Sequence, residues 1–319
     1  MTTYIIRRLL QGLIVLILVT LVVFFVIRLL PGDPLIIFIA QTAQLEAMPQ
    51  EMIEQLRHEF GLDKSIVVQY INWIRNIFRG DFGVSIYYRE HVSTLMAERF
   101  PVTLHLGGLA LIVGAVVGIA AGLITAVRRG KWLDKIITPL TYIGITIPVF
   151  WLGILMIYLF GLKLHWLPIS GYTSPLDDFW LSTRQLVMPV ICLSFFSIAA
   201  NARQMRSSML ETISQDYVRT AWAKGLSERR VIMKHALKNS LIPVITLVGM
   251  GVGIIFGGSV LVETVFAIPG VGRLLVSSIL GQDYVVVQAI TFVIAITILL
   301  VNLMVDISYG WFDPRIRYG

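Results

Sequence analysis

The sequence predicts an all-α membrane protein with six spanning helices and both termini on the cytoplasmic side. Three observations predict this class. Only 14% of the residues are charged, against 56% hydrophobic, and the mean hydropathy is +0.80. That is roughly half the charge of a soluble domain, so most of the apolar surface must face lipid. Several apolar runs also exceed the roughly 18 residues that mark a spanning helix. Finally, with the N-terminus inside, sixteen of the 26 Lys and Arg fall in inner segments, against six of the 19 acids. Such Lys and Arg asymmetry orients helices during insertion.

The first span is Leu9 to Ile27, "LLQGLIVLILVTLVVFFVI". At about 1.5 Å per residue it reaches about 28 Å, close to the hydrocarbon thickness of a bilayer. Its length exceeds that of a secretory signal and no small-residue cleavage site follows, so it reads as a retained helix with Arg7 and Arg8 at its cytoplasmic end. The outer loop from Pro31 to Phe100 carries two helical patterns. One is Met52, Ile53, Leu56 and Phe60, stopped by Gly61. The other is Ile66, Tyr70, Trp73 and Ile77, stopped by Gly80. Both are expected to lie as amphipathic helices on the outer surface of the bundle. Further spans fall at about Pro101–Val127, Ile136–Leu162, Leu186–Met205, Leu241–Glu263 and Val286–Ile307. A pI near 9.6 then points to anionic lipid on the cytoplasmic face and away from nucleic acid.

Packing marks appear within the spans. Gly114, Gly118 and Gly122 recur every fourth residue, as do Gly249, Gly253 and Gly257, predicting faces where helices approach closely. Pro148 and Pro189 interrupt two other spans. Five polar residues within spans, Thr141, Thr146, Ser194, Ser197 and Asn201, are candidates to line a passage or, equally, to bond a neighbouring helix.

Catalytic chemistry is missing from the sequence. There is no G-x-x-x-x-G-K-[ST], since the only Gly-Lys pair, Gly130 and Lys131, is followed by Trp132. The five histidines, His58, His91, His105, His165 and His235, fit no metal motif, and no G-x-S-x-G occurs. The single Cys192 lies in an apolar run and reads as a buried, inert thiol, and His105 as a hydrogen-bonded structural residue. No ionisable residue sits near the centre of a span, as a gradient-driven carrier would require. No catalytic residue, metal site or bound cofactor is therefore expected. An intramembrane enzyme and a gradient-driven carrier stand as distant alternatives.

One segment breaks the apolar pattern: "YVRTAWAKGLSERRVIMKHALKNSLIP", Tyr217 to Pro243, on the cytoplasmic side. Asp216 can cap a short helix with Val218, Ala221 and Trp222 as its apolar stripe and Gly225 as its stop. Ser227 can cap a second helix, on which Arg230, Lys234 and Lys238 share a face. Two readings fit this pattern, an interfacial helix pair gripping lipid phosphates or a docking helix for a protein partner anchored by Tyr217 and Trp222.

The segment resembles the loop of ABC importer permeases with the consensus E-A-A, three residues, G, nine residues, I-x-L-P. Arg219-Thr220-Ala221 stand at its first positions, Gly225 at the glycine and Ser240-Leu241-Ile242-Pro243 at its close. Arg219 occupies the place of the usual leading Glu. Further motifs run along the chain: "RRLLQGLIVL", "LLPGDP", "FGLDKS", "RGDFGVS", "RSSMLE", "ETVFAIPGVGRLL" and "VNLMVDISYGWFDPRIRY". They are similar to the dipeptide, oligopeptide and nickel permease family, specifically its first, B-type subunit.

That resemblance implies the type I importer arrangement. Residues 1–100 would hold the first span and the long extracytoplasmic loop. Residues 101–319 would form the core permease domain of five spans, with the cytoplasmic coupling loop at about 206–240. The implied partners are a C-type sister permease, two ATPase subunits carrying ATP and Mg, an extracytoplasmic solute-binding protein and membrane lipid. The implied coupling residues are Tyr217, Arg219, Thr220, Ala221, Trp222, Lys224, Gly225 and Pro243. The outer helices and the "FAIPGVGRLL" loop would meet the binding protein. The implied cargo is peptide, with nickel complexes, glutathione or another small solute as alternatives.

Overall fold

The computed structural model describes residues 2–29, 50–59 and 61–312. Phe60, Leu30 to Pro34 of "LLPGDP", and Asp313, Arg315 and Arg317 lie outside the described residues, as do the side chains of Ile53, Leu56 and Asp306. The helices in chain order are α1 (Thr2–Leu29), α2 (Gln50–Glu59), α3 (Ile66–Phe78), α4 (Val92–Val127), α5 (Trp132–Thr146), α6 (Val149–Met156), α7 (Phe179–Ile213), α8 (Asp216–Ala223), α9 (Leu237–Val265), α10 (Val271–Leu280) and α11 (Tyr284–Phe312). A π-helical stretch, Ile157–Lys163, extends α6, and a single turn at Glu228–Arg230 followed by π-helical Val231–Ala236 leads into α9. The chain divides into two compact units, Met1–Val102 with Arg273–Leu299, and Thr103–Gly272 with Leu300–Gly319.

Five helical segments are long and apolar enough to cross a membrane, and α5 with extended α6 makes a sixth if that bent pair counts as one span. The expected span at Ile136–Leu162 is therefore not straight: its two halves meet at 109°. Pro148 explains the break. A proline disfavours the helical conformation for the residue before it, and Ile147 is extended at φ −72°, ψ 126°. Pro189 behaves differently, since α7 runs unbroken through it.

In the first unit, Tyr70, Trp73 and Ile77 of α3 are packed as the pattern predicts, whereas Ile66 at the start of the helix is exposed. Phe24 of α1 is fully buried, with the rings of Tyr70 and Trp73 at 5.2 and 5.7 Å. The Thr20 and Tyr70 hydroxyls share a 3.0 Å hydrogen bond. Helix α3 ends at Phe78 with Arg79 as its C-cap, and Gly80 follows at φ +78°, a left-handed conformation that glycine adopts without a Cβ penalty. Beyond it, buried Asp283 accepts hydrogen bonds from the Ser85 hydroxyl and the Tyr87 amide, fixing the "GVSIYY" loop before α11. Near α2, His58 Nδ1 lies 2.6 Å from Asp63, and this hydrogen bond holds the Asp63 carboxyl below the usual carboxylate range.

The second unit is a bundle in which α7 touches α5, α6 and α9. Between spans lipid is as apolar as leucine, so close packing and hydrogen bonds must hold helices together. The glycine stripe of α4 supplies the packing. A Cβ on Gly114 would fall 2.8 Å from Ser197 Cβ, one on Gly118 2.7 Å from Asn201 Cβ, and one on Gly122 2.4 Å from the Ala202 carbonyl oxygen. The second stripe differs at Gly257, where an added Cβ would meet nothing within 4 Å, while neighbouring Gly258 faces Leu193.

At the other end of α9, Glu263 is fully buried and accepts a 2.8 Å hydrogen bond from Thr103 Oγ1. That hydroxyl in turn accepts from the Val271 amide, and an added Cβ at Gly270 would fall on the Glu263 carboxylate. The "IPGVG" glycines thus let the loop close over a buried acid. His105 Nδ1 and the Tyr172 hydroxyl share a 3.1 Å bond. Burial, with Asp177 nearby, raises the Tyr172 pKa. Cys192 is buried, its Sγ 3.4 Å from Met156 Sδ.

Candidate coupling site

The eight-residue helix α8 stands between two spanning helices and is built on its own small core. Val218 is fully buried and Ala221 is 5% exposed, packed with Val231 and Leu226. Tyr217 and Trp222, at 44% and 39% exposure, point away from that base. Asp216 is the first helical residue and not the cap. Gln215 precedes it in extended conformation without a side-chain cap, and the fully exposed Asp216 carboxylate sits where the helix dipole favours negative charge. Ser227 likewise precedes its turn without a side-chain capping bond.

The C-terminus of α8 is a Schellman motif. The Gly225 amide donates to Trp222 O at 2.9 Å and the Leu226 amide to Ala221 O at 3.4 Å. Gly225 has φ +76°, and Leu226 folds back onto the base cluster. A Cβ at Gly225 would meet nothing within 4 Å, so substitution acts through backbone conformation alone. Gly225→Ala is expected to cost about 1–2 kcal/mol locally and Gly225→Val more. The check is hydrogen exchange at the Leu226 amide, which should speed by about tenfold or more in both variants while the amides of α7 stay protected.

The remaining expected residues divide by role. Arg219 lies 3.9 Å from Asp216 on the surface, a pair worth little. The Thr220 hydroxyl bonds its own helix at Asp216 O, and Lys224 is exposed at the C-cap. Ala221, being buried, supports α8 from below and offers no contact surface. Pro243 lies within α9, which runs unbroken through it.

Two supports carried no local signal in the sequence. Asn239 donates to the Tyr217 hydroxyl at 2.8 Å across 22 residues. Asp134, in the first turn of α5, accepts from both Nε and Nη2 of Arg206 at 3.1 and 3.2 Å, from Thr138 Oγ1 and from the Gly130 amide. A bidentate guanidinium–carboxylate pair of this kind fixes orientation as well as adding energy. It clamps the Arg128–Lys131 turn and α5 to the C-terminal part of α7. A separate buried cluster of Ala126, Met205, Met209, Ala236 and Val244 joins α4, α7, the π-helical segment and α9. Arg230, Lys234 and Lys238 are all exposed, although the wider π turn shifts their expected i, i+4 alignment.

Of the candidate passage residues, Asn201 donates to Gly114 O across α7 and α4, while Ser197 packs on Gly114. Thr146 and Ser194 bond carbonyls of their own helices. Thr141 also bonds within its helix but lines a cavity of about 520 Å³ with Thr125, Arg203, Gln204 and Ser207.

An amphipathic helix on a buried apolar base, with an exposed aromatic pair, thus stands between two spanning helices. Residues 118–318 match the family of binding-protein-dependent transport system inner membrane components, and residues 1–107 match that system's N-terminal membrane component. The chain belongs to this family. The permease is 38% identical, over the full length of both chains, to a protein of Sinorhizobium fredii named as a probable peptide ABC transporter permease. It is 39% identical, over 94% of each chain, to a di/tripeptide transport system permease protein of Pseudomonas aeruginosa. Its fold resembles that of the MetNI methionine ABC transporter in inward facing conformations, with TM-score 0.58 and 18% identity over 69% of this chain and 97% of that one. The permease is a multi-pass inner-membrane protein.

Proposed function

We propose that the permease forms half of the translocation pathway of an ATP-driven importer of di- and oligopeptides. It works beside a C-type sister permease, two ATPase subunits and an extracytoplasmic solute-binding protein. Its termini and α8 face the cytoplasm. The observation that carries the reading is α8 itself: Val218 and Ala221 hold it rigidly from below while Tyr217 and Trp222 stand out beside exposed Arg219 and Lys224. Such an anchor pair with a polar rim suits a cleft on a protein partner.

ATP and Mg belong on the ATPase subunits, since the chain has no phosphate-cradling loop. Closure of the ATPase pair moves α8, and the clusters at Val231 and Ala236 pass the motion to α9 and α7. ATP must stabilise one bundle arrangement over the other for this to transport anything. Peptide cargo is favoured by the names of the full-length relatives.

The test is a cysteine at Trp222 with a short bifunctional crosslinker in membranes holding the whole assembly. Capture of an ATPase subunit is expected, and capture should change with bound nucleotide. A crosslink that never captures a nucleotide-hydrolysing protein would remove the assignment.

A further inference from the structure

We propose that the Thr103–Gly272 unit carries a binding site for one anionic phospholipid at the foot of α8. The site is a groove of about 440 Å³ between the end of α4 and the segment that follows α8. Val127, Ile232 and Met233 supply apolar wall, and Arg128, Lys131 and Arg229 supply positive charge against one carboxylate, Glu228. None of the three cations makes an ion pair or a side-chain hydrogen bond among the described residues. Arg206, by contrast, is taken up by Asp134.

Depth argues for lipid. Helix α4 is a candidate membrane span that ends at Val127, so Arg128 and Lys131 stand immediately beyond its apolar stretch, at headgroup level. Trp132 follows at 65% exposure, the position an interfacial aromatic takes. Basic pockets at the ends of spanning helices on the cytoplasmic side suit anionic headgroups. The apolar wall, with Met233 51% exposed and Ile124 39% exposed, matches an acyl chain and has no use for free phosphate. A bound headgroup bridges the Arg128–Lys131 turn to Arg229, tying the root of α8 to the membrane surface. The assignment of this lipid to the inner leaflet rests on the orientation proposed above.

Native mass spectrometry of the purified full-length chain tests the site with phosphatidylglycerol, phosphatidylcholine and inorganic phosphate. One phosphatidylglycerol should be retained in preference to phosphatidylcholine, and millimolar phosphate should not displace it. Arg128→Gln, Lys131→Gln and Arg229→Gln should each weaken retention by about fivefold, the equivalent of about 1 kcal/mol per cation. Circular dichroism of the lipid-free variants should be unchanged, and Arg229→Gln alone carries the test if either of the other two variants does not fold. Equal retention by wild type and Arg229→Gln, equal binding of phosphatidylcholine, or displacement by phosphate would overturn the proposal. So would displacement by an added ATPase subunit, which would give the groove to that partner. Because lipid binding needs no ATPase, failure here leaves the importer reading intact.

Discussion

Gly122→Ala is expected to destabilise the permease by about 2–3 kcal/mol and to lower the yield of folded protein sharply. The added Cβ would lie 2.4 Å from Ala202 O and 2.6 Å from Met205 Cβ. The first of these is backbone, and the second belongs to a side chain that is fully buried in the cluster shared by α4, α7 and the π-helical segment. Neither can move aside without parting two spanning helices, and overpacking of a close-packed site costs in this range. Separation would also strain the Asn201 bond to Gly114 O further along the same seam. Gly108→Ala is the control. It lies on the same helix with nothing within 4 Å of an added Cβ, so its stability should hold or rise by up to about 1 kcal/mol through helix propensity. Thermal unfolding of the two variants in detergent decides the matter. Equal midpoints would mean that the α4–α7 approach does not hold the bundle together.

The two substitutions also show what sequence can and cannot deliver. The Gly114, Gly118 and Gly122 stripe was visible because helical periodicity places every fourth residue on one face, and that face does meet α7. The same periodicity at Gly257 was misleading, because spacing says which residues share a face but not whether a partner covers it. Pro148 and Pro189 looked alike in sequence. Only the first breaks a helix, since Ile147 is released to an extended conformation, whereas α7 holds its helical path through Pro189. Just past the end of α8, Gly225 was legible because a left-handed stop is a local requirement. Ala221 was legible as apolar but not as buried foundation, because its cover comes from Val231 and Leu226 beyond the turn. The Asp134–Arg206 clamp spans 72 residues and the Asn239–Tyr217 bond 22. Pairings at such distance leave no periodic trace, and both residues of the clamp read in sequence as ordinary inner-side charges.

On the proposed function, Trp222→Ala should reduce peptide uptake by the assembled importer by at least about tenfold while the permease stays folded. Trp222 takes no part in the cluster of Val218, Ala221 and Val231, so its removal leaves the base of α8 in place. Truncating an aromatic anchor at an interface centre costs about 2 kcal/mol or more, close to a thirtyfold loss of docking affinity. Uptake should therefore recover in part when ATPase subunits are supplied in excess, which a folding defect would not allow. Val218→Ser supplies the contrast: it places a hydroxyl in the fully buried position beneath α8, so the helix should loosen and excess ATPase should give no recovery. Tyr217→Phe removes only the hydroxyl bonded to Asn239, a loss of about 1 kcal/mol that should reorient the anchor without detaching it. Uptake assays in proteoliposomes with the three variants, at two ATPase concentrations, separate contact from foundation. Normal uptake with alanine at position 222 would show that the exposed aromatic pair is not what the motor grips, and the coupling surface would then have to lie elsewhere on the inner face.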